Sequence, residues 1–229
     1  MTRFDASHVL RKENEVARLG ALDSYGILDT PAERGFDDIV LLAAQICKTP
    51  VAAVSLVAGS RQWFKARIGL DACETPLSQS ICVHALWRPG LLVIRLLVIP
   101  DLAADPRTCG NTAVTGFPHL RFYTGARLET PKGEALGTLC VADTKPRMEG
   151  LAFPQASALE ALARQVMAQL ELRRAMKALA SRAAERNAYG RSVPTCSACS
   201  TLTLFSRAPT PHGARFWLVG GRDRQHGAL

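Results

Sequence analysis

The chain has 229 residues, 48% of them apolar and 21% charged, with a formal net charge of +8. Those proportions are ordinary for a soluble globule and predict a real core, which excludes a chain too polar to fold. The charge is uneven: residues 1–178 hold 21 Lys and Arg against 18 acids, and residues 179–229 hold seven Arg against two, so most of the basicity belongs to the end of the chain and argues for no nucleic-acid partner.

Residues 1–13 lack periodicity and read as a loose arm without the apolar core of a signal peptide. Asn14 is expected to cap a first helix with Val16, Leu19 and Leu22 as its apolar stripe, stopped by Gly26. A stronger helix start follows, with Thr30 as N-cap, Pro31 at the first position and Glu33 completing a capping box. Phe36, Ile39, Val40, Ala43, Ile46 and Cys47 then recur at helical spacing, and Pro50 prevents continuation.

Val51–Val57 and Gln62–Ile68 read as strands joined by a turn at Ala58-Gly59-Ser60-Arg61, and residues 77–86 as a short helix. Leu91–Ile99, which contains a repeated LLVI, reads as a strand. It is nine residues long and broken by Arg95, far short of the roughly 20 needed to cross a bilayer, so no membrane partner is expected. Residues 102–120 read as an irregular loop with at most one helical turn.

Phe122–Glu129 alternates at period two, and Leu136–Asp143 is a second, more apolar run. Thr130-Pro131-Lys132-Gly133 between them suits a type I turn, so the pair reads as a hairpin. Gly125 and Gly137 remove side chains where a ligand or, as expected here, a packed helix approaches the backbone. From Gln155 to about Arg186 the chain is strongly helical. Leu159, Leu162, Val166 and Leu170 form one stripe, and Leu172, Met176, Leu179 and Ala183 an offset second one that serves a dimer or relay helix. Residues 187–229, rich in Gly, Pro, Ser, Thr and Arg, read as a disordered tail. This order of elements does not alternate as βα units do. It predicts an α+β fold with an antiparallel sheet.

The segments LDSYGILDTPAERGFDDIVLLAAQICKTPVAAVSLV, RQWFKARIGL, SICVHAL, VIPDLAADPR and LRFYTGARLETPKGEALGTLCVAD, in that order, resemble bacterial GAF sensor domains. The group resembled is the one found N-terminal in sensor histidine kinases and in cyclic-dinucleotide signalling proteins. The resemblance covers residues 14–178, with the terminal helix running on to about 186. It implies a central antiparallel sheet of about six strands with helices on both faces, a long C-terminal helix, and a small-molecule pocket on one sheet face. It also implies a homodimer through the terminal helices and a signalling partner or separate output domain. Three departures bear on the pocket: no acidic residue in the Ala58-Gly59-Ser60 turn, Ile81 where relatives carry Phe, and a longer segment between His84 and Asp101. The tail matches no output domain, which keeps open a truncated remnant of a sensor kinase.

Trp63, Phe64, Phe122 and Tyr123 are the candidate aromatic walls of such a pocket, one of each pair facing inward because neighbours on a strand point oppositely. Asp101 and Arg121 are candidate polar anchors, with Cys82 and His84 beside them. A thiolate–imidazolium pair could make Cys82 a redox enzyme's nucleophile or a redox sensor, but residues two apart on a helix do not face each other. A wall-lining thiol and a hydrogen-bonded histidine are therefore expected instead. Bilin attachment and methionine-sulfoxide reduction each need a cysteine arrangement matched here only by single residues, so no cofactor is assigned. Cys196 and Cys199 have zinc-like spacing, but His212 and His226 stand 14 apart, so no metal is assigned. No kinase motif is present, so the chain reads as no enzyme. An odd count of seven cysteines without a secretory signal points to a cytoplasmic location.

Overall fold

A computed structural model describes residues 12–86 and 96–191, with side chains from Glu15 to Leu86 and from Leu96 to Arg186. The first compact unit runs to Glu185, and the second, 186–229, is described only through the end of the last helix. The tail with Cys196, Cys199, His212 and His226, the first LLVI at 91–94 and the arm before Lys12 lie outside the described residues.

Helices α1 (Lys12–Tyr25) and α2 (Arg34–Cys47) precede strands β1 (Val51–Val57), β2 (Arg61–Ile68) and β3 (Glu74–Pro76). A 3₁₀ turn (Leu77–Gln79), the one-turn helix α3 (Val83–Leu86), β4 (Leu96–Ile99) and α4 (Thr112–Thr115) follow. The hairpin β5 (Phe122–Glu129) and β6 (Ala135–Asp143) then leads into α5 (Phe153–Arg191). The six strands form one antiparallel sheet in the order β3-β2-β1-β6-β5-β4, an α+β fold. Among the described residues no helix is long and apolar enough to cross a membrane.

Period-two alternation sorts the sheet's side chains onto two cores. Ala52, Val54, Leu56, Trp63, Ala126, Leu128, Leu136, Leu139 and Val141 meet Leu22 and Tyr25 of α1, Phe36, Val40 and Ala43 of α2, and Leu159, Val166 and Leu170 of α5. Ala53, Val57, Phe64, Leu97, Ile99, Tyr123, Cys140 and Ala142 meet Cys82 and Val83 of the α3 segment and Val114 of α4. Helices thus cover both faces. Each fully buried Leu, Val or Phe contributes about 1.5–3 kcal/mol.

Several expectations need correction. α1 begins at Lys12, so Asn14 lies within it, and Val16 is exposed. The buried stripe instead runs Arg18, Leu22, Tyr25. The Arg18 guanidinium donates to Val57 O at 2.7 Å and to Glu15 at 2.6 and 2.8 Å, so a buried charge fastens α1 to β1. The capping box at Thr30 does not form. Glu33 is extended (φ −133°, ψ 121°), α2 starts at Arg34, and the Thr30 hydroxyl donates back to Ile27 O. The expected 77–86 helix is two pieces, because Ser80 is extended between them.

β2 carries one residue more than its partner needs. Phe64 pairs with Ser55 and Ala66 with Val54, leaving Lys65 as a bulge. Lys65 and Ala66 consequently share the face covered by α1, α2 and α5, where the Lys65 ammonium lies 5.3 Å over the Phe36 ring. The hairpin turn closes with Gly133 N–H donating to Thr130 O at 2.9 Å, Gly133 having φ 92°. Gly137 faces neither a helix nor a ligand. A Cβ there would overlap Ser55 O and sit 2.9 Å from Leu56 Cα, so this glycine exists for the neighbouring strand.

Candidate functional site

On the face covered by α3, polar side chains interrupt runs that are otherwise apolar. Ser55 of β1, Gln62 of β2, and Thr138 and Cys140 of β6 all point there, as does Tyr123 of β5, and all are buried. Cys82 descends from the turn before α3 into their midst. Its sulfur accepts from the Tyr123 hydroxyl at 3.2 Å and from Gln62 Nε2 at 3.4 Å, and lies 4.0 Å from Cys140 Sγ. Tyr123 OH also meets Thr138 Oγ1 at 3.3 Å. The Tyr123 ring lies across Gly125 of its own strand, where a Cβ would come within 3.0 Å of Cζ, so Gly125 makes room for a side chain rather than a helix.

These contacts set the ionisation order. Contact with the Cys140 sulfur draws the Cys82 thiol below its usual range against the opposing effect of burial, and Tyr123 adds to the pull. The same contact and burial push Cys140 up, and burial pushes Tyr123 up. Cys47, buried in the other core, is pushed up to about 11 by desolvation. Two polar atoms of the cluster are incompletely satisfied among the described residues. Gln62 Oε1 has no hydrogen-bond partner, and the Ser55 hydroxyl adjoins Cys82 without completing a bond.

The eight residues singled out in the sequence divide accordingly. Phe64, Cys82 and Tyr123 meet on this face. Trp63 lies in the opposite core, and Phe122 lies fully buried under the Arg147 guanidinium, 5.3 Å from its ring, so neither reaches the cluster. His84, two residues past Cys82, turns towards Asp105 and Arg107, and burial pushes its imidazole down to about 4. Asp101 accepts from Ala103 N–H at 2.9 Å and shapes its own loop. Arg121 donates to Val114 O and Leu120 O, both at 2.9 Å, and so holds the end of α4. α4 is in turn fixed by Asn111, which accepts from Ala113 N–H and donates to Gln79 O.

Sequence reasoning passed over Ser55, Gln62, Thr138 and Cys140. Their signal was a polar side chain at the inward phase of an apolar strand. Among the described residues no group of three or more His, Cys, Asp or Glu is placed to hold a metal. Two crevices, of about 510 and 410 Å³, open elsewhere, where the hairpin tip at Thr130–Gly133 meets α5 and α1.

The GAF domain profile matches residues 31–173. A curated relative, a cyclic di-GMP phosphodiesterase of Pseudomonas aeruginosa, is 39% identical over 158 residues, 69% of this chain. The matched region is only 26% of that relative's length. Among solved structures, the GAF domain of a phosphoenolpyruvate-protein phosphotransferase from Coxiella burnetii is 14% identical with a TM-score of 0.52, covering 72% of this chain and 98% of that one. A bacteriophytochrome of R. palustris is 15% identical with a TM-score of 0.50, covering 79% and 42%. At such identities the structures bear on the fold alone.

Proposed function

The chain belongs to the GAF domain family, and from that premise we propose that it is a small-molecule sensor whose ligand is held on the α3-covered face of the sheet. A regulatory, signalling role is what the family supplies. The ligand and its place are the finer reading. The observation that carries it is the buried cluster of Gln62, Ser55, Cys82, Tyr123 and Thr138 beside the apolar side chains of Phe64, Leu97 and Ile99, with Gln62 Oε1 unpartnered. Few polar groups set in an apolar wall are what a ligand pocket needs, and an orphaned buried carbonyl oxygen costs stability until a donor reaches it. The chemistry favours an uncharged ligand bearing at least one N–H or O–H donor. His84, Asp101 and Arg121 act as supports of the surrounding loops.

Output in this reading passes along α5. Leu170 is the last fully buried residue of α5 among the described side chains, and Leu172, Met176 and Leu179 beyond it are each more than 60% exposed at coiled-coil spacing. We assign that stripe to pairing with the same stripe of a second copy, and the signal to a change in that pairing, delivered to an output domain or partner protein. No phosphodiesterase activity is assigned to this chain. A thiol redox enzyme is not favoured, because His84 turns towards Asp105 and Arg107 and gives Cys82 no imidazole base.

Native mass spectrometry of protein purified without denaturation tests the ligand reading. A bound mass is expected for the wild type and its loss for Gln62→Leu. Absence of any bound mass, together with no thermal shift across a library of small polar metabolites, would overturn it.

A further inference from the structure

We propose that Cys82 and Cys140 are a modification site, joined by a reversible disulfide under oxidation by hydrogen peroxide, which fastens α3 to the middle of the sheet. The consequence for signalling rests on the ligand reading above, because the bond would form inside the same cluster. The bond itself does not depend on it.

The two sulfurs lie 4.0 Å apart with no atom needed between them, and a disulfide requires about 2.05 Å. The remaining approach of about 2 Å has an obvious mobile partner. Cys140 sits in β6, hydrogen-bonded to β1 on one side and β5 on the other, and its thiol donates to Ala53 O at 3.6 Å. Cys82 precedes a helix of a single turn, Val83–Leu86, held from below by the Ser80 hydroxyl, which accepts from Val83 N–H. Movement therefore falls on α3.

The roles of the two thiols also differ. Tyr123 OH and Gln62 Nε2 both aim their hydrogens at Cys82 Sγ, while the Cys140 thiol turns its proton to Ala53 O. Donors converging on one sulfur favour its thiolate, which is the nucleophile. The Cys82 thiolate attacks one peroxide oxygen, the O–O bond breaks, and hydroxide leaves to be protonated, giving a sulfenic acid with sulfur oxidised by two electrons. Cys140 then attacks that sulfur as its S–O bond breaks, and the oxygen departs as water with the Cys140 proton. Two thiols and one hydrogen peroxide give one disulfide and two waters. Peroxide is little larger than water, which suits a site closed by one helical turn. The third buried thiol, Cys47, has no such donors.

Once bonded, Cys82 no longer accepts from Tyr123 or Gln62 as a thiolate does, and α3 is drawn onto the sheet. The ligand site would then be closed by oxidation.

The test treats the reduced full chain with stoichiometric hydrogen peroxide at neutral pH, followed by non-reducing digestion and mass spectrometry. The expected result is a loss of about two mass units, mapped to a cross-link between the peptides of Cys82 and Cys140 and restored by dithiothreitol. Exposed Cys73 and Cys109 serve as internal comparisons. The proposal is overturned if Cys73 and Cys109 oxidise while the pair stays reduced, if Cys82 gains oxygen without a cross-link, or if other pairings dominate. Cys140→Ala adds an arm: Cys82 should stop at a sulfenic acid that dimedone traps. All readouts need no ligand, so an absent ligand and an absent bond are separate failures.

Discussion

Oxygen Oε1 of Glu33 lies 2.7 Å from the Lys65 ammonium, whose side chain is wholly out of solvent, and the same oxygen accepts from Arg173 of α5. Lys65 also donates to Thr30 Oγ1 at 2.9 Å and Pro31 O at 2.6 Å. One carboxylate thus joins a strand, the α1–α2 connection and the helix that leaves the core. Burial pushes Glu33 up, but Lys65 and Arg173 outweigh it and hold the carboxyl below its ordinary range. A depressed folded pKa gives stability that is present above the usual glutamate value of about 4.3 and lost as pH falls through the folded value. Glu33→Gln should lower stability at pH 7 by on the order of 2 kcal/mol, less than for a fully buried pair because Glu33 is about a third exposed. It should also flatten the acid limb below about pH 4.3. Urea melts from pH 3 to 7 would check both, and unchanged melts would refute the coupling.

His84 gives a second, separable pH dependence. Its imidazole is held down to about 4 by burial, against about 6.5 unfolded. Its contribution is complete above about pH 6.5 and is lost as pH falls towards the folded value, at most about 3 kcal/mol in all. Wild-type stability should therefore decline between about pH 6.5 and 4, and His84→Gln should lose that slope while keeping the one due to Glu33. Histidine titration followed by NMR gives the folded value directly.

The two hairpin glycines predict different damage. Gly137→Ala drives a Cβ into β1 backbone, which cannot yield without breaking the ladder, so a loss of about 3 kcal/mol is expected. Gly125→Ala meets only the Tyr123 ring and hydroxyl, a side chain that can swing, so about 1 kcal/mol is expected. That swing, however, takes the hydroxyl from Cys82 and Thr138. Thermal melts rank the two variants, and slower alkylation of Cys82 should mark Gly125→Ala.

Replacing Leu172, Met176 and Leu179 together with Ser removes side chains that are mostly exposed in one copy. The melting temperature at low concentration should hardly change. Light scattering should show the wild type at twice the chain mass and the triple variant at the chain mass. A wild type that is monomeric at high micromolar concentration would remove α5 as a pairing surface.

Much of this fold was legible because buried strands and one-sided helices write their period into the chain. The hairpin, the change of stripe at Leu170 and the buried face of α2, apart from Ile46, which is exposed where Ala44 is buried, could each be read from spacing. What escaped was decided by partners distant in sequence. Glu33 sits where a capping box belongs, yet its carboxylate goes to Lys65, 32 residues on, and Arg173, 140 residues on. Val16 fits a stripe that Arg18 occupies instead, because a carbonyl of β1 waits for a guanidinium. In the candidate site, aromatic residues drew attention while the polar cluster rested on Ser55, Gln62 and Thr138. Those residue types are common in exposed loops and become informative only when register places them inside.

The bulge at Lys65 makes the length of β2 unequal in its tolerance. Removing Lys65 would leave Phe64 opposite Ser55 and Ala66 opposite Val54, each still facing its present side, whereas removing Phe64 would bring Lys65 or Trp63 into its place, on the wrong face. The sheet could be laid without this residue. A one-codon deletion here would keep the architecture and sever the ammonium's links to Glu33, Thr30 and Pro31, so the strand can lose its tie to the α1–α2 connection without being turned over.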